Sequence, residues 1–190
     1  MPDHRLSPLT ALGGTAPRVD RHSGVTVAEN PDLALASVAC RRGRAEDFRA
    51  STRALFGFDM PVPAQSAAAG DWRAFWVSPD QWMVEAPFAS HEDIARIIKT
   101  ALGDCASVTE QTDAWVRFDV SGPRTPDFFE RLTGVDVRRM QAGAAQRTMM
   151  EHLGCYLVCR APQSEFVILG PRSSAASLHH ALAQAAEVIA

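Results

Sequence analysis

Short alternating runs and helical repeats of apolar residues follow one another along the chain. Leu33–Cys40 (LALASVAC) reads as a strand. A helix is predicted over Ala45–Phe56, with Phe48, Leu55 and Phe56 at i, i+7 and i+8 and Gly57 ending it. Residues 72–76 and 81–86 read as strands around Val77-Ser78-Pro79-Asp80, where Pro and Asp suit a type I turn. Residues 91–102 carry an apolar stripe of Ile94, Ile97, Ile98, Ala101 and Leu102, with Ser90 as N-cap and Gly103 as stop. After residues 107–111, the run 115–120 (WVRFDV) sets Val116, Phe118 and Val120 against Arg117 and Asp119, the period of a half-buried strand. Ser121-Gly122-Pro123 turns the chain. Thr125-Pro126 opens a helix with Phe128, Phe129 and Leu132 inward, stopped by Gly134. Residues 146–152 and 155–160 read as a hairpin about Leu153-Gly154, 165–169 as an apolar strand, and 174–189 as a closing helix.

Each half therefore runs strand, helix, strand pair, helix, which predicts an α+β fold of antiparallel sheets with packed helices. Residues 33–190 are expected to form one domain of two similar halves, about 33–104 and 105–190. Residues 1–32 are rich in Pro, Gly, Arg, Thr and Ser and show no sustained period. They read as an extended N-terminal arm, suited to lying on another subunit. The Pro/Ala/Ser-rich stretch from Pro61 to Asp71 reads as a long loop.

Composition narrows the function classes. The chain has 190 residues, 46% hydrophobic and 22% charged, with net charge −3. A slightly acidic chain does not fit general nucleic-acid binding. No apolar stretch has the length of a membrane span, and the Met1-Pro2-Asp3-His4-Arg5 start does not read as a secretory signal, so a cytoplasmic protein is expected. The single Lys, Lys99, stands against 18 Arg, a bias of codon usage or of interfaces, where Arg forms bidentate carboxylate contacts.

Catalytic chemistry is hard to find. There is no dinucleotide-binding glycine motif, phosphate loop or nucleophile elbow. His152, Cys155 and Cys159 have no second ligand pair, and on a strand the two thiols stand about 13 Å apart, so they read as small buried hydrophobes. His179-His180 point about 100° apart on a helix. Glu110 and Asp113 flank a turn, in which Asp113 is expected to bond local backbone N–H groups. Tyr156 reads as packed. No catalytic, cofactor-binding or metal residue is assigned. The residues singled out are interface candidates: Pro8 and Leu9 of the arm, Trp72, Trp76 and Trp82 of the Trp-rich hairpin, and Arg172.

These residues sit in motifs that resemble a known family. VTEQTDAW at 108–115, followed by a strand and Ser121-Gly122-Pro123, resembles the central motif of the gamma subunit of heterotetrameric sarcosine oxidase. Ser7-Pro8-Leu9, the hairpin Trp76-Val77-Ser78-Pro79-Asp80-Gln81-Trp82, the run from Phe129-Glu130-Arg131-Leu132 through Asp136 and Ala142-Gly143-Ala144 to Arg147-Thr148, and Gly170-Pro171-Arg172-Ser173 resemble further motifs in order. The second half also resembles the folate-binding aminomethyltransferase fold of the glycine-cleavage system. It lacks the longer acidic loop of that family's hairpin, with no acid in the hairpin after Glu151.

The resemblance implies a non-catalytic subunit acting in assembly and stability of a flavin-dependent complex. That complex oxidatively demethylates sarcosine to glycine, releasing hydrogen peroxide and passing a one-carbon unit to tetrahydrofolate. It also implies alpha, beta and delta partner chains that carry FAD, FMN, NAD, tetrahydrofolate and zinc. The alternative is a stand-alone tetrahydrofolate-dependent one-carbon transfer protein. In that case Asp113, Asp119 and Asp136 are the candidate pterin-binding carboxylates.

Overall fold

The structure is a computed structural model and describes residues 8–189. The elements run β1 (Val19–His22), β2 (Val25–Glu29), β3 (Leu33–Cys40), α1 (Ala45–Phe56), β4 (Ser66–Ala69), β5 (Trp72–Ser78), β6 (Gln81–Pro87), α2 (Phe88–His91), α3 (Ile94–Leu102), β7 (Ala106–Glu110), β8 (Trp115–Ser121), α4 (Thr125–Phe129), β9 (Ala145–Met150), β10 (Leu153–Ala161), β11 (Glu165–Pro171) and α5 (Ala175–Ile189). They form two antiparallel sheets, ordered β1-β2-β8-β11-β10-β9 and β4-β5-β6-β3-β7.

Strands buried on both faces dictate the layering. Residues 155–159 of β10 and 166–170 of β11 are all buried, so each needs a layer above and below. On one face Val116, Phe118, Leu157 and Ile168 pack against Phe128 and Phe129 of α4 and Leu178 and Leu182 of α5. The other face, with Tyr156, Val158, Val167 and Leu169, meets Leu35, Phe75 and Met83 of the second sheet. That sheet turns Ala34, Ala36, Ala74 and Val84 outward under Phe48 and Phe56 of α1 and Ile94 and Ile98 of α3. The result is four layers: helices, sheet, sheet, helices.

The two sheets are built alike. β9, β10, β11 and β8 occupy the places that β4, β5, β6 and β3 hold in the other sheet. The fifth strand of each is lent by the other half: β2 pairs with β8, and β7 pairs with β3. The halves are thus laced together, and a cut between residues 104 and 105 would take β7 from the sheet it completes.

The hairpin β1–β2 corrects the expected arm. Residues 19–29 are not an extended arm; they form two strands of the six-stranded sheet, with Val25 and Val27 buried in its core. Their alternation about Ser23-Gly24 is a hairpin signal, hidden among Pro- and Gly-rich neighbours. The first seven residues, including Ser7 of the Ser-Pro-Leu motif, lie outside the described residues.

Other expectations are corrected locally. The Pro61 to Asp71 loop contains β4, whose run of alanines carries no period. The 91–102 helix is broken into α2 and α3, and Asp93 rather than Ser90 sits at the N-cap position of α3. Asp80 has φ +58°, which a type I turn does not allow. The β9–β10 turn is Glu151-His152, both in the left-handed region, not Leu153-Gly154. Thr125 does not cap α4; Arg124 holds the N-cap position, and the Thr125 hydroxyl donates to the Gln163 carbonyl at 2.6 Å. The helix stops at Phe129, before Gly134. Cys155 and Cys159 are buried on the helix side and Tyr156 packs between Phe75 and Trp115, as their sequence context predicted.

The Ser121-Gly122-Pro123 turn has a steric reason for its glycine. Gly122 has φ +132°, and a Cβ there would stand 2.3 Å from the Gly24 carbonyl oxygen in the β1–β2 turn. On the helix side of the same sheet, His179 of α5 bonds Asp20 of β1 at 2.6 Å, fastening the edge hairpin to the helix.

Two outcomes follow from these contacts. Gly122→Ala should destabilise the protein by about 2 kcal/mol or more, read from urea unfolding, because both the backbone and the neighbouring carbonyl must shift. Burial works against the Asp20 carboxylate, but hydrogen bonds from His179 and Arg18 outweigh it and hold its pKa below the ordinary value. Its contribution is therefore present above about pH 4 and lost as pH falls through the lowered value. Asp20→Asn should be less stable than wild type at pH 6, with the two stability curves converging as the pH falls through the lowered Asp20 value.

Candidate functional site

The residues of the 108–115 motif are mostly consumed by the chain's own folding. The Glu110 carboxylate accepts from the backbone N–H of Gln111 (3.2 Å) and Thr112 (3.1 Å) and from the Thr112 hydroxyl. The Thr112 oxygen accepts the Leu35 N–H at 3.0 Å, and the Gln111 N–H donates to the Leu35 carbonyl at 2.8 Å. Trp115 Nε1 donates to Gln111 Oε1 at 3.2 Å. These bonds stitch the β7–β8 turn to β3. Glu110, not Asp113 as expected, is the residue that bonds the local backbone. Asp113 is exposed and takes no hydrogen bond among the described residues, and it lines a cleft at this end of the sandwich.

The opposite wall of that cleft comes from the chain's beginning. Pro8 and Leu9 stand beside Arg172, whose Nη2 donates to the Leu9 carbonyl at 3.2 Å. Glu29, at the end of β2, holds this segment in place. Its two carboxylate oxygens accept the Leu12 N–H at 3.0 Å and the Arg18 N–H at 3.2 Å. Leu33 and Phe88 complete an apolar side. The cleft has a volume of about 190 Å³. Leu9 is 54% exposed and Phe88 38%, unusual for large apolar side chains that share one depression.

Beneath it lies a charge network between the two sheets. Glu85 of β6 is fully buried. Its Oε2 accepts from Arg117 Nη1 at 2.7 Å and from Arg160 Nη2 at 3.3 Å. Arg117 Nε also donates to Asp119 at 2.7 Å, and Asn30 Nδ2 donates to the same carboxylate at 2.6 Å. Glu85 Oε1 has no partner among the described residues. Burial opposes the charge on Arg117, but Glu85 and Asp119 overcome it and raise its pKa. For Arg160 burial prevails, helped by Arg117 and Arg73, and its pKa is lowered.

The interface candidates divide. Pro8, Leu9 and Arg172, far apart in sequence, meet on this cleft. Trp72, Trp76 and Trp82 do not. Trp72 packs edge-on against Phe56 and His91, and Trp82 stacks on Phe48 with its Nε1 donating to the Pro61 carbonyl at 2.7 Å. Trp76 borders a shallow depression with Ala64 and Arg147. The carboxylates of the folate alternative are also separated. Asp113 is on the rim, Asp119 is in the charge network, and Asp136 is on another segment, at the N-cap position of the turn Val137–Arg139. Sequence reading missed Phe88, Glu29, Glu85 and Arg117. A lone Glu in the apolar run of β6 was the available sign of a buried partner. Among the described residues no cluster of three or more His, Cys, Asp or Glu is placed to hold a metal ion.

No family model and no curated protein matches the sequence. Solved structures do match the fold. A chain of "Heterotetrameric Sarcosine Oxidase from Corynebacterium sp. U-96 in complex with pyrrole 2-carboxylate" superposes with a TM-score of 0.76 at 18% identity, over 89% of this chain and 87% of that one. The glycine cleavage system aminomethyltransferase T from Bartonella henselae superposes with a TM-score of 0.60 at 11% identity, over 81% of this chain but only 44% of its own length. The chain thus spans less than half of the aminomethyltransferase. The α+β fold expected from the sequence, and from its resemblance to these two groups, is the fold observed.

The charge network predicts a contrast between variants. Arg117→Leu leaves the buried Glu85 with only the longer Arg160 contact at 3.3 Å and should cost about 3 kcal/mol in urea unfolding. A Glu85→Leu, Arg117→Leu double variant should recover part of that loss, because the fully buried carboxylate is gone and the partners left behind, Arg160 and Asp119, reach water.

Proposed function

We propose that this chain is a non-catalytic, gamma-type subunit of a heterotetrameric, flavin-dependent sarcosine oxidase. Its task is to assemble and stabilise the complex with alpha, beta and delta chains in the cytoplasm. FAD, FMN, NAD, tetrahydrofolate and zinc belong to those partner chains. The complex demethylates sarcosine oxidatively to glycine and hydrogen peroxide, with the one-carbon unit captured by tetrahydrofolate.

One observation carries the reading. The fold corresponds nearly end to end with one chain of a heterotetrameric sarcosine oxidase, and the two chains are close in length. In that comparison the likeness runs over most of both chains. The placement of the motifs supports it. Pro8 and Leu9, the 108–115 turn and Arg172 are separate in sequence, yet they build one cleft with two exposed apolar side chains. Docking through Pro8, Leu9 and Arg172 gives that convergence a purpose. Among the described residues no helix is long and apolar enough to cross a membrane.

The likeness to an aminomethyltransferase supports the alternative, a free-standing tetrahydrofolate-dependent transfer protein. Two features weigh against it. Asp113, Asp119 and Asp136 do not converge, and a two-residue turn at Glu151-His152 leaves no room for a long acidic loop.

A pull-down of the tagged chain from its native cell separates the two. Subunit membership predicts three co-purifying chains and a yellow eluate with the visible bands of flavin, bleached when sarcosine is added. A colourless eluate with this chain alone, together with saturable tetrahydrofolate binding, would reverse the assignment.

A further inference from the structure

We infer that the cleft between Leu9 and Asp113 seats an extended segment of a partner chain that carries a basic side chain next to an apolar one. The inference depends on the assembly reading only for the partner's identity.

The apolar half of the claim rests on exposed surface. Leu9 and Phe88 stand on the same cleft and both expose a large fraction of their side chains. Pro31 and Leu33 extend that wall. An apolar side chain laid between them would remove this surface from water, the main favourable term in association.

The basic half rests on charge. Among the described residues four ionisable side chains line the cleft: Glu29, Asp113, Arg117 and Arg172. Arg117 is committed to Glu85 and Asp119. The Glu29 carboxylate is held by backbone N–H groups alone, with no cation bonded to it among the described residues. Arg172 spends Nη2 on the Leu9 carbonyl. Of the carboxylates only Asp113 is accessible, while the buried Glu29 lies behind the surface; together they outweigh the charge of Arg172, so the cleft favours a cation. Asp113 is where a cation would land. Its neighbours Glu110, Gln111, Thr112 and Trp115 are bound into the turn, whereas the Asp113 carboxylate is exposed. An acidic segment would meet the exposed Asp113 carboxylate with the buried Glu29 behind it, and like-charge contacts at interfaces are strongly disfavoured.

Photo-crosslinking in the native cell tests the occupant directly. The full chain with Phe88→p-benzoylphenylalanine is irradiated, and the captured peptide is sequenced by mass spectrometry. The expected product is a single segment with Lys or Arg within two residues of an apolar side chain. Asp113→Lys, an exposed change that leaves the fold intact, should lower the crosslink yield about tenfold at low salt. Asp113→Asn should lower it less and remove most of its sensitivity to added salt. Absence of a crosslink, capture of an acidic or uncharged segment, or indifference to Asp113→Lys would each overturn the inference. Flavoprotein chains that co-purify without such a crosslink leave the assembly reading standing and this one refuted. A basic segment captured from a chain outside any flavoprotein complex does the reverse.

Discussion

Two sheets face each other across a layer that has to be dry, and Glu85 sits in that layer without exposed surface. Most of the architecture is arranged around this constraint. An ionisable carboxylate between sheets is tolerated only beside matching donors, and those donors come from strands of the opposite sheet, Arg117 on β8 and Arg160 on β10. The bonds therefore fix how the sheets lie on each other, which apolar contacts such as Phe75 with Tyr156 do not do alone. Asp119 and Asn30 carry the network on to the β2–β3 connection. Through Asn30 the buried layer is tied to the floor of the cleft.

Much of this fold was legible because its helix-facing sides keep simple periods. Val116, Phe118 and Val120 mark β8, and the stripe of Ile94 and Ile98 marks α3. What the periods did not show is that the polar positions of several strands also face inward. Arg117 and Asp119 read as the solvent side of a half-buried strand. In a sandwich of two sheets both faces are covered, and the alternating charged positions become the inter-sheet network. One sequence cannot separate these cases, since pairing between residues as distant as Glu85 and Arg117 leaves no local pattern. β1 and β2 were missed for a related reason. Each is too short to rise above its Pro- and Gly-rich surroundings; β2 is held by pairing with β8, about ninety residues later, and β1 by pairing with β2.

The cleft was legible in part, and which of the marked residues meet there is informative. Pro8, Leu9 and Arg172 were marked by motifs and meet in space. The three Trp were marked by residue type, and two of them turn out to brace α1 and the loop at Pro61. An aromatic cluster reports that a surface is buried, without saying whether its own helix or another molecule buries it. A motif of mixed polar residues carries more, once the structure shows which of its members the fold itself uses. In 108–115 the hydrogen bonds account for Glu110, Gln111, Thr112 and Trp115, and leave Asp113 facing the cleft.

Lacing the halves together has a consequence for how such a cleft can work. The cleft takes its walls from the segment at Leu9, from β2, from the start of α2, from the β7–β8 turn and from Arg172. The lent strands β2 and β7 both end there, each held in the other half's sheet. Neither wall can swing without breaking ladder bonds or the contacts of Glu29 with Leu12 and Arg18. A surface built in this way is set before its partner arrives, so association need not spend free energy on ordering it. Rigidity of this kind suits a piece whose contribution is shape. In the proposed assembly it would hold a neighbouring chain in one geometry, leaving the chemistry to the chain that is held.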